Sequence, residues 1–259
     1  MVTKENVFKC LSELGINPTD TVMIHTSMRA IGEVEGGCDG LIDAFSEYLS
    51  DGLFLVPTHT WANVNRKQPV YDVRSTVPCI GALPTVAAFR EDGVRSLHPT
   101  HSLAAFGKRA EEFVRGEEKA TSPCFEGGAW WRLYDEDAKI VLLGVGLDKN
   151  TYIHAVDEML ELPDKLSEPF DLTSTDKDGN EYKTVFTSHS HATSQYFVNY
   201  KKPLDELSVL SYSTLGGATV TCMSAVELTR VLKHLWKSAE WDLTEVYREI
   251  PESYYEDLK

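Results

Sequence analysis

The sequence predicts an α/β fold with a largely buried sheet, and three patterns carry that expectation. Short apolar runs that do not alternate, Val22–His25, Leu53–Val56 and Ile140–Leu143, read as strands covered on both faces. Polar or glycine-rich loops follow each run, at His25-Thr26-Ser27, Pro57-Thr58-His59 and Gly144-Val145-Gly146. Between the runs stand segments of helical period, giving the rhythm strand, loop, helix, strand.

Taken in order, Thr3 caps a first helix whose inner face is Val7, Cys10, Leu11 and Leu14, closed by Gly15. After the strand at Val22, a glycine-rich turn over 32–37 feeds a helix with Leu41, Ile42, Phe45 and Leu49 inside. Residues 60–80 lack a period and read as a long loop, a length that in a compact domain points to function. Helix returns at Leu83–Phe89, a strand is expected at Ser102–Phe106, and helical segments near Arg109–Val114 and Trp130–Tyr134. Past about residue 165 the chain becomes rich in hairpin signals: Phe170–Thr175 and Glu181–Thr187 flank Asp178-Gly179-Asn180. Ser224-Ala225-Val226-Glu227 opens a last helix through Val231, Leu235 and Trp236, and the acidic tail from Pro251 is expected to fray. No linker or repeat divides the chain, so residues 1–259 read as a single domain.

Composition narrows the function. With 25 basic against 40 acidic residues the net charge is −15, which disfavours nucleic acid as a partner. An acidic surface draws cations, although solubility alone also accounts for such a charge. The five cysteines are scattered without a C-x-x-C pair, as in a reduced cytoplasmic protein. No apolar run is long enough to span a bilayer, and the N-terminus is polar, so no membrane association is expected. Near Asp178 the hairpin leaves an edge strand, which keeps a homodimer open.

Several motifs fail. Gly144-Val145-Gly146 starts like a dinucleotide fingerprint, but Lys149 stands where the third glycine belongs. G-x-S-x-G, H-E-x-x-H and the phosphate-binding loop are absent. Arg29-Ala30-Ile31-Gly32-Glu33-Val34 begins like the R/Q-x-x-G-x-G/A loop of the largest acetyltransferase superfamily, then ends in valine. Cys124 has the place of a covalent acyl carrier, yet a small buried cysteine is the commoner fate.

What remains is His154. It lies three residues before Asp157, so imidazole and carboxylate share one helix face just beyond a strand's carboxyl end. A histidine held by a carboxylate there is a ready general base. A second reading is a metal-dependent amidohydrolase built on His98 with His101 and on His189 with His191, whose spacings a metal can use. A third is an acidic binding protein without catalysis.

Four segments together resemble the aminoglycoside 3-N-acetyltransferase family: His25-Thr26-Ser27 with Ile31-Gly32 and Gly36-Gly37; Val56-Pro57-Thr58; residues 95–107 around His98-Pro99-Thr100-His101-Ser102; and residues 142–158 with Asn150-Thr151 before His154. The resemblance implies a mixed β-sheet between helix layers, distinct from the R/Q-x-x-G-x-G/A superfamily. It also implies direct transfer of acetyl from acetyl-CoA to an amine, the 3-amino group of an aminoglycoside or a non-antibiotic amine, with no metal. On that resemblance His154 is the base. The family usually has glutamate where this chain has Asp157, so Asp157 or the adjacent Glu158 orients the ring. His25, Thr26 and Ser27 are expected to line the thioester and pantetheine arm; Gly36, Gly37, Ser75 and Thr76 are expected at the rest of the cofactor. Trp61, Asn63, Asp72 and Asp148 are the candidates around a cationic acceptor.

Overall fold

Strands covered on both sides have no polar face to spare, and the three continuous apolar runs sit at the centre of the sheet for that reason. The computed structural model describes residues 1–190 and 193–259. The first half contains α1 (Lys4–Glu13), β1 (Thr21–Thr26), α2 (Met28–Ile31), α3 (Gly37–Tyr48), β2 (Leu53–Pro57), β3 (Val70–Asp72), α4 (Ala82–Ala88), β4 (Val94–Arg95) and β5 (Leu103–Phe106). Next come α5 (Ala110–Phe113), α6 (Ala129–Asp135), β6 (Lys139–Leu143) and α7 (Tyr152–Met159). The C-terminal part contributes β7 (Phe170–Thr175), β8 (Glu181–Phe186), α8 (Lys201–Glu206), β9 (Ser211–Leu215), β10 (Ala218–Ser224) and α9 (Ala225–Ser238).

Seven strands form one sheet in the order β4-β5-β2-β1-β6-β10-β9. Only its centre is parallel: β1 pairs with β2 and with β6, while every outer pairing is antiparallel. The expected mixed sheet between helix layers is the one observed. Period-two alternation divides the strand side chains between two cores. Met23, Leu55, Ile140 and Leu142 face α6, α7 and α9, and Val22, Ile24, Phe54 and Val141 face α1 and α3. The chain leaves β1 on one side for β2 and later fills the other side with β6. This reversal opens a crevice at the carboxyl end of β1.

A smaller sheet, β3-β7-β8, lies apart around Tyr71, Leu172 and Phe186. It contains the Asp178 hairpin as expected, but it also recruits β3 out of the long segment 60–80. Three residues with one buried side chain are too short to show a period. The parallel partner lies about a hundred residues away in sequence, which explains why this strand was not legible. The same holds for the two-residue β4, and the hairpin β9–β10 also went unassigned. The tail does not fray: Ile250 and Tyr255 are completely buried, and the Tyr255 hydroxyl donates to Glu206. A single aromatic anchor outweighs the acidic composition around it. Among the described residues no helix is long and apolar enough to cross a membrane.

One contact ties the last helix to the helix that bears His154. The Tyr152 hydroxyl, fully buried, meets Thr229 Oγ1 at 2.7 Å and donates to the Ala225 carbonyl at 3.3 Å. Tyr152→Phe removes both and leaves the Thr229 hydroxyl without this partner. Unfolding should become easier by about 1 kcal/mol, seen as a melting temperature about 2–4 °C lower. An unchanged melting curve would show that α7 does not rely on this contact.

Candidate active site

Three parallel strands end at the same edge, and their following loops build the walls of a cavity of about 670 Å³. β1 delivers His25 and Thr26, β2 runs on through Pro57 to His59 and Trp61, and β6 leads through Val145–Thr151 into α7 and His154. Thr100 and His101 enter from the loop before β5, and Ser188–Ser190 from the segment after β8. Gly144, at φ 72° and with an added Cβ only 2.6 Å from the Ala30 Cβ, permits the sharp exit from β6 that this requires.

Thr151 precedes α7, but its hydroxyl does not cap the helix. It meets His59 Nε2 at 3.0 Å instead, and Asn150 Oδ1 accepts the Tyr152 amide at 3.2 Å. The His154 side chain is 14% exposed, with Nδ1 3.6 Å from Asp157 Oδ2. Glu158 turns elsewhere: its carboxylate accepts from the Ser122 hydroxyl and from the Cys124 amide at 2.9 Å. Asp157 is therefore the carboxylate that faces the ring. Both of its oxygens are buried without a hydrogen bond. Desolvation dominates here, pushing His154 down to about 4 despite Glu158 and pushing Asp157 up to about 7. The imidazole is thus neutral and able to accept a proton.

The rest of the wall is a series of aromatic rings. His154 stacks on His189 with centroids 4.0 Å apart, His189 meets His101 at 5.1 Å, and His101 meets His59 at 4.6 Å. Trp130 stands behind, 5.4 Å from His59 and 6.2 Å from His25, with its indole N–H donating to the His101 carbonyl. Four buried polar atoms around this wall lack partners among the described residues: His25 Nε2, Thr26 Oγ1, His59 Nδ1 and His189 Nε2. A cavity surrounded by unsatisfied polar atoms is suited to a polar ligand.

Of the residues singled out in the sequence, His25, Thr26, Trp61, Asp148 and His154 line this cavity, with Asp157 directly behind. The others do not. Ser27 accepts the Ala30 amide as the cap of α2, and Gly36 and Gly37 form the entry to α3 away from the cavity. Asn63 donates to the Val77 carbonyl, and Asp72 is paired with Arg74 at 2.6 Å. Thr76 Oγ1 accepts the Asp72 amide, and the Ser75 amide donates to the Asp72 carbonyl, so these two close a local turn. Short polar side chains in loops often satisfy their own backbone first, and these residues lie outside the lining of this cavity. The sequence does not point to His59, Thr151, His189, Ser188, Ser190, Thr193 and Ser194 as lining residues. The Ser/His texture of 188–194 is a weak signal, and only the fold brings it to α7.

A metal site built on the histidine pairs has no support. His98 Nδ1 accepts the amides of Thr100 and His101 while Nε2 donates to the Ser122 carbonyl, so both nitrogens are occupied. His191 lies outside the described residues, and among those described no group of three or more His, Cys, Asp or Glu is arranged to hold a metal. Cys124 is buried and its thiol is pushed well up by desolvation, so it is no nucleophile.

A buried histidine–carboxylate pair stands at the mouth of parallel strands, open to a polar-rimmed cavity. The family model described as aminoglycoside 3-N-acetyltransferase matches residues 23–237, and the chain belongs to that family of acyltransferases. The chain is 26% identical over 196 residues to aminoglycoside N(3)-acetyltransferase III of Serratia marcescens, covering 69% of this chain and 72% of that protein. It is 29% identical over 182 residues to aminoglycoside N(3)-acetyltransferase VII of Streptomyces paromomycinus, 63% of each. Among solved structures, AAC-IIIb as a binary complex with CoASH superposes with a TM-score of 0.77 at 19% identity, covering 88% of this chain and 93% of that one. The apoenzyme of AAC(3)-IVa gives 0.73 at 24%, covering 88% and 86%.

The buried histidines make stability depend on pH. Burial lowers His25 to about 3 and His98, His154 and His189 to about 4, and holds His59 and His101 well below the ordinary value. Between those values and about 6.5 the unfolded chain binds the extra protons, so stability falls as pH falls. Asp157 and Glu117, each raised to about 7 by burial, act in the opposite direction, but they are two against six. The melting temperature should therefore drop steeply from pH 7 to pH 4. A flat profile over that range would contradict the buried, neutral state of the histidine wall.

Proposed function

We propose that this protein transfers the acetyl group of acetyl-CoA directly to an amine, with His154 as general base, the amine being the 3-amino group of an aminoglycoside. The observation that carries the reading is the neutral His154 imidazole at the cavity, with the Asp157 carboxyl behind its Nδ1. AAC-IIIb was solved with CoASH and a histidine-to-alanine variant of AAC(3)-IVa with a gentamicin, and both superpose on this chain. The cavity and the unpartnered atoms around it suit the pantetheine arm and its thioester.

Acetyl-CoA supplies the activated acyl group. An ammonium has no lone pair to attack with, so the acceptor nitrogen must lose a proton. His154 takes it through the nitrogen remote from Asp157, and Asp157 stabilises the imidazolium that results. The freed amine adds to the thioester carbonyl and the C–S bond breaks. The imidazolium protonates the departing CoA thiolate, and the new amide nitrogen sheds its second proton to solvent. Thr26 Oγ1, buried at the cavity and without a partner among the described residues, supports a donor role toward the developing oxyanion, and His25 Nε2 stands beside it in sequence. Trp61, half exposed, and Asp148 flank the acceptor side. Residues 1–259 work as a single unit, because α9 at the C-terminal end holds α7 at the centre. Five unpaired cysteines suit the reducing cytoplasm, where acetyl-CoA is available.

One observation favours a different acceptor. Among the described residues lining the cavity, Asp148 is the only carboxylate, and Lys149 pairs with it at 2.9 Å. A polycation gains little from such a wall, so the second reading is an amine of lower charge and outside the antibiotic class.

Free-thiol release with acetyl-CoA tests both readings. His154→Ala should lower kcat by about two to four orders of magnitude while CoA still binds. Asp157→Asn should lose more than about tenfold, and more than Glu158→Gln. Near-normal turnover in His154→Ala would remove the mechanism. Across a panel, higher kcat/KM for singly charged amines than for polycationic aminoglycosides would select the second reading.

A further inference from the structure

The contact between His154 and Asp157 is too long to fix the imidazole. At 3.6 Å it exceeds a hydrogen bond, and both carboxylate oxygens are unpartnered. Something else must hold the ring plane. The ring lies between two aromatic neighbours: His189 stacks on it at 4.0 Å with 30° between planes, and Phe197 meets it edge-on at 4.9 Å and 63°.

His189 is itself anchored. It forms an antiparallel bridge with Leu166, flanked by the Ser167 amide donating to the Ser188 carbonyl at 2.7 Å and the Ser190 amide donating to the Lys165 carbonyl at 2.9 Å. The backbone bridge is what anchors it; Glu158, fixed by Ser122 and the Cys124 amide, faces its Nε2 at 3.8 Å, beyond hydrogen-bond reach, and acts on it only as a nearby charge. A second imidazole, contributed by the segment after β8, therefore stands beside the first, facing a second carboxylate of α7. We propose that His189, backed by Glu158, is a positioning residue for the base: its ring face sets the plane of His154 and shields one face of it from water.

Three consequences follow from this geometry. A fixed plane aims the accepting nitrogen, and a small misplacement of a catalytic group costs up to about a hundredfold in rate. A dry face keeps His154 neutral, since loss of solvation is the main cause of its low proton affinity. When His154 does gain its proton, an uncharged ring 4.0 Å away is a better neighbour than water-poor hydrocarbon, and a second charge on His189 is opposed. The charged groups that act on the pair are Asp157 and Glu158 from α7 itself, and Lys165, which is bound to Asp242 and Thr244.

The inference rests on His154 being the base, so its test has one arm with turnover and one without. In the full-length protein, His189→Ala should lower kcat by about tenfold or more, with KM for acetyl-CoA within about twofold of wild type. His189→Phe keeps an aromatic face but no ring nitrogen, and should return kcat to within about fivefold of wild type. By NMR of histidine-labelled protein, the His154 ring should titrate nearer 6.5 in His189→Ala, where water reaches it, and remain low in His189→Phe. Wild-type kcat in the alanine variant, a phenylalanine variant as impaired as His154→Ala, or an unmoved His154 titration in the alanine variant would each overturn the proposal. If wild type acetylates no amine at all, the general-base reading has failed, and the titration arm still decides whether His189 sets the environment of His154.

Discussion

A base inside a protein must satisfy two opposed demands: dry enough to stay neutral, open enough to touch a ligand. In this fold the conflict is settled at one ring. His154 is buried among aromatic side chains on most sides, and the small exposed remainder opens to the cavity. The central parallel strands, the crevice at the end of β1 and the tie from α9 to α7 all place that ring. Few of the other features would matter to the chemistry if the imidazole were either solvated or sealed.

The cost of such a site is borne as pH sensitivity and as unsatisfied polar atoms. Five histidines with weakened proton affinity line one wall with His98 packed against His101 nearby, and four buried polar atoms of that wall have no partner among the described residues. A structure built only for stability would pair or replace such groups. Their retention at one cavity is what separates this region from the two apolar cores that flank the sheet. The cavity is polar but poor in carboxylates: among the described lining residues only Asp148 is acidic, and Lys149 pairs with it.

Much of the frame was legible in the residues. Continuous apolar runs announce buried strands, and β1, β2 and β6 fall where those runs lie, while the hairpin falls where the Asp178-Gly179-Asn180 turn signal lies. His154 and Asp157 were legible for a similar reason: helical spacing after a strand is local geometry, decided within two turns. Gly36, Gly37, Ser75, Thr76, Asp72 and Asn63 fell short of the cavity because loop geometry, not residue type, sets how far a backbone reaches. β3, β4 and the anchored tail were missed because two or three residues, or a single buried tyrosine, contain no period to read.

By itself, then, the chain determined its class of fold, its central strands and the His154–Asp157 pair on one helix face, since each depends on neighbours within a few positions. Only the tertiary structure decided which carboxylate faces the ring, that Thr151 serves His59 instead of its own helix, and that His189 stacks on His154 from 35 residues away. Those choices depend on distances between segments remote in sequence. No residue's identity encodes such a distance until the sheet and its layers have closed around it.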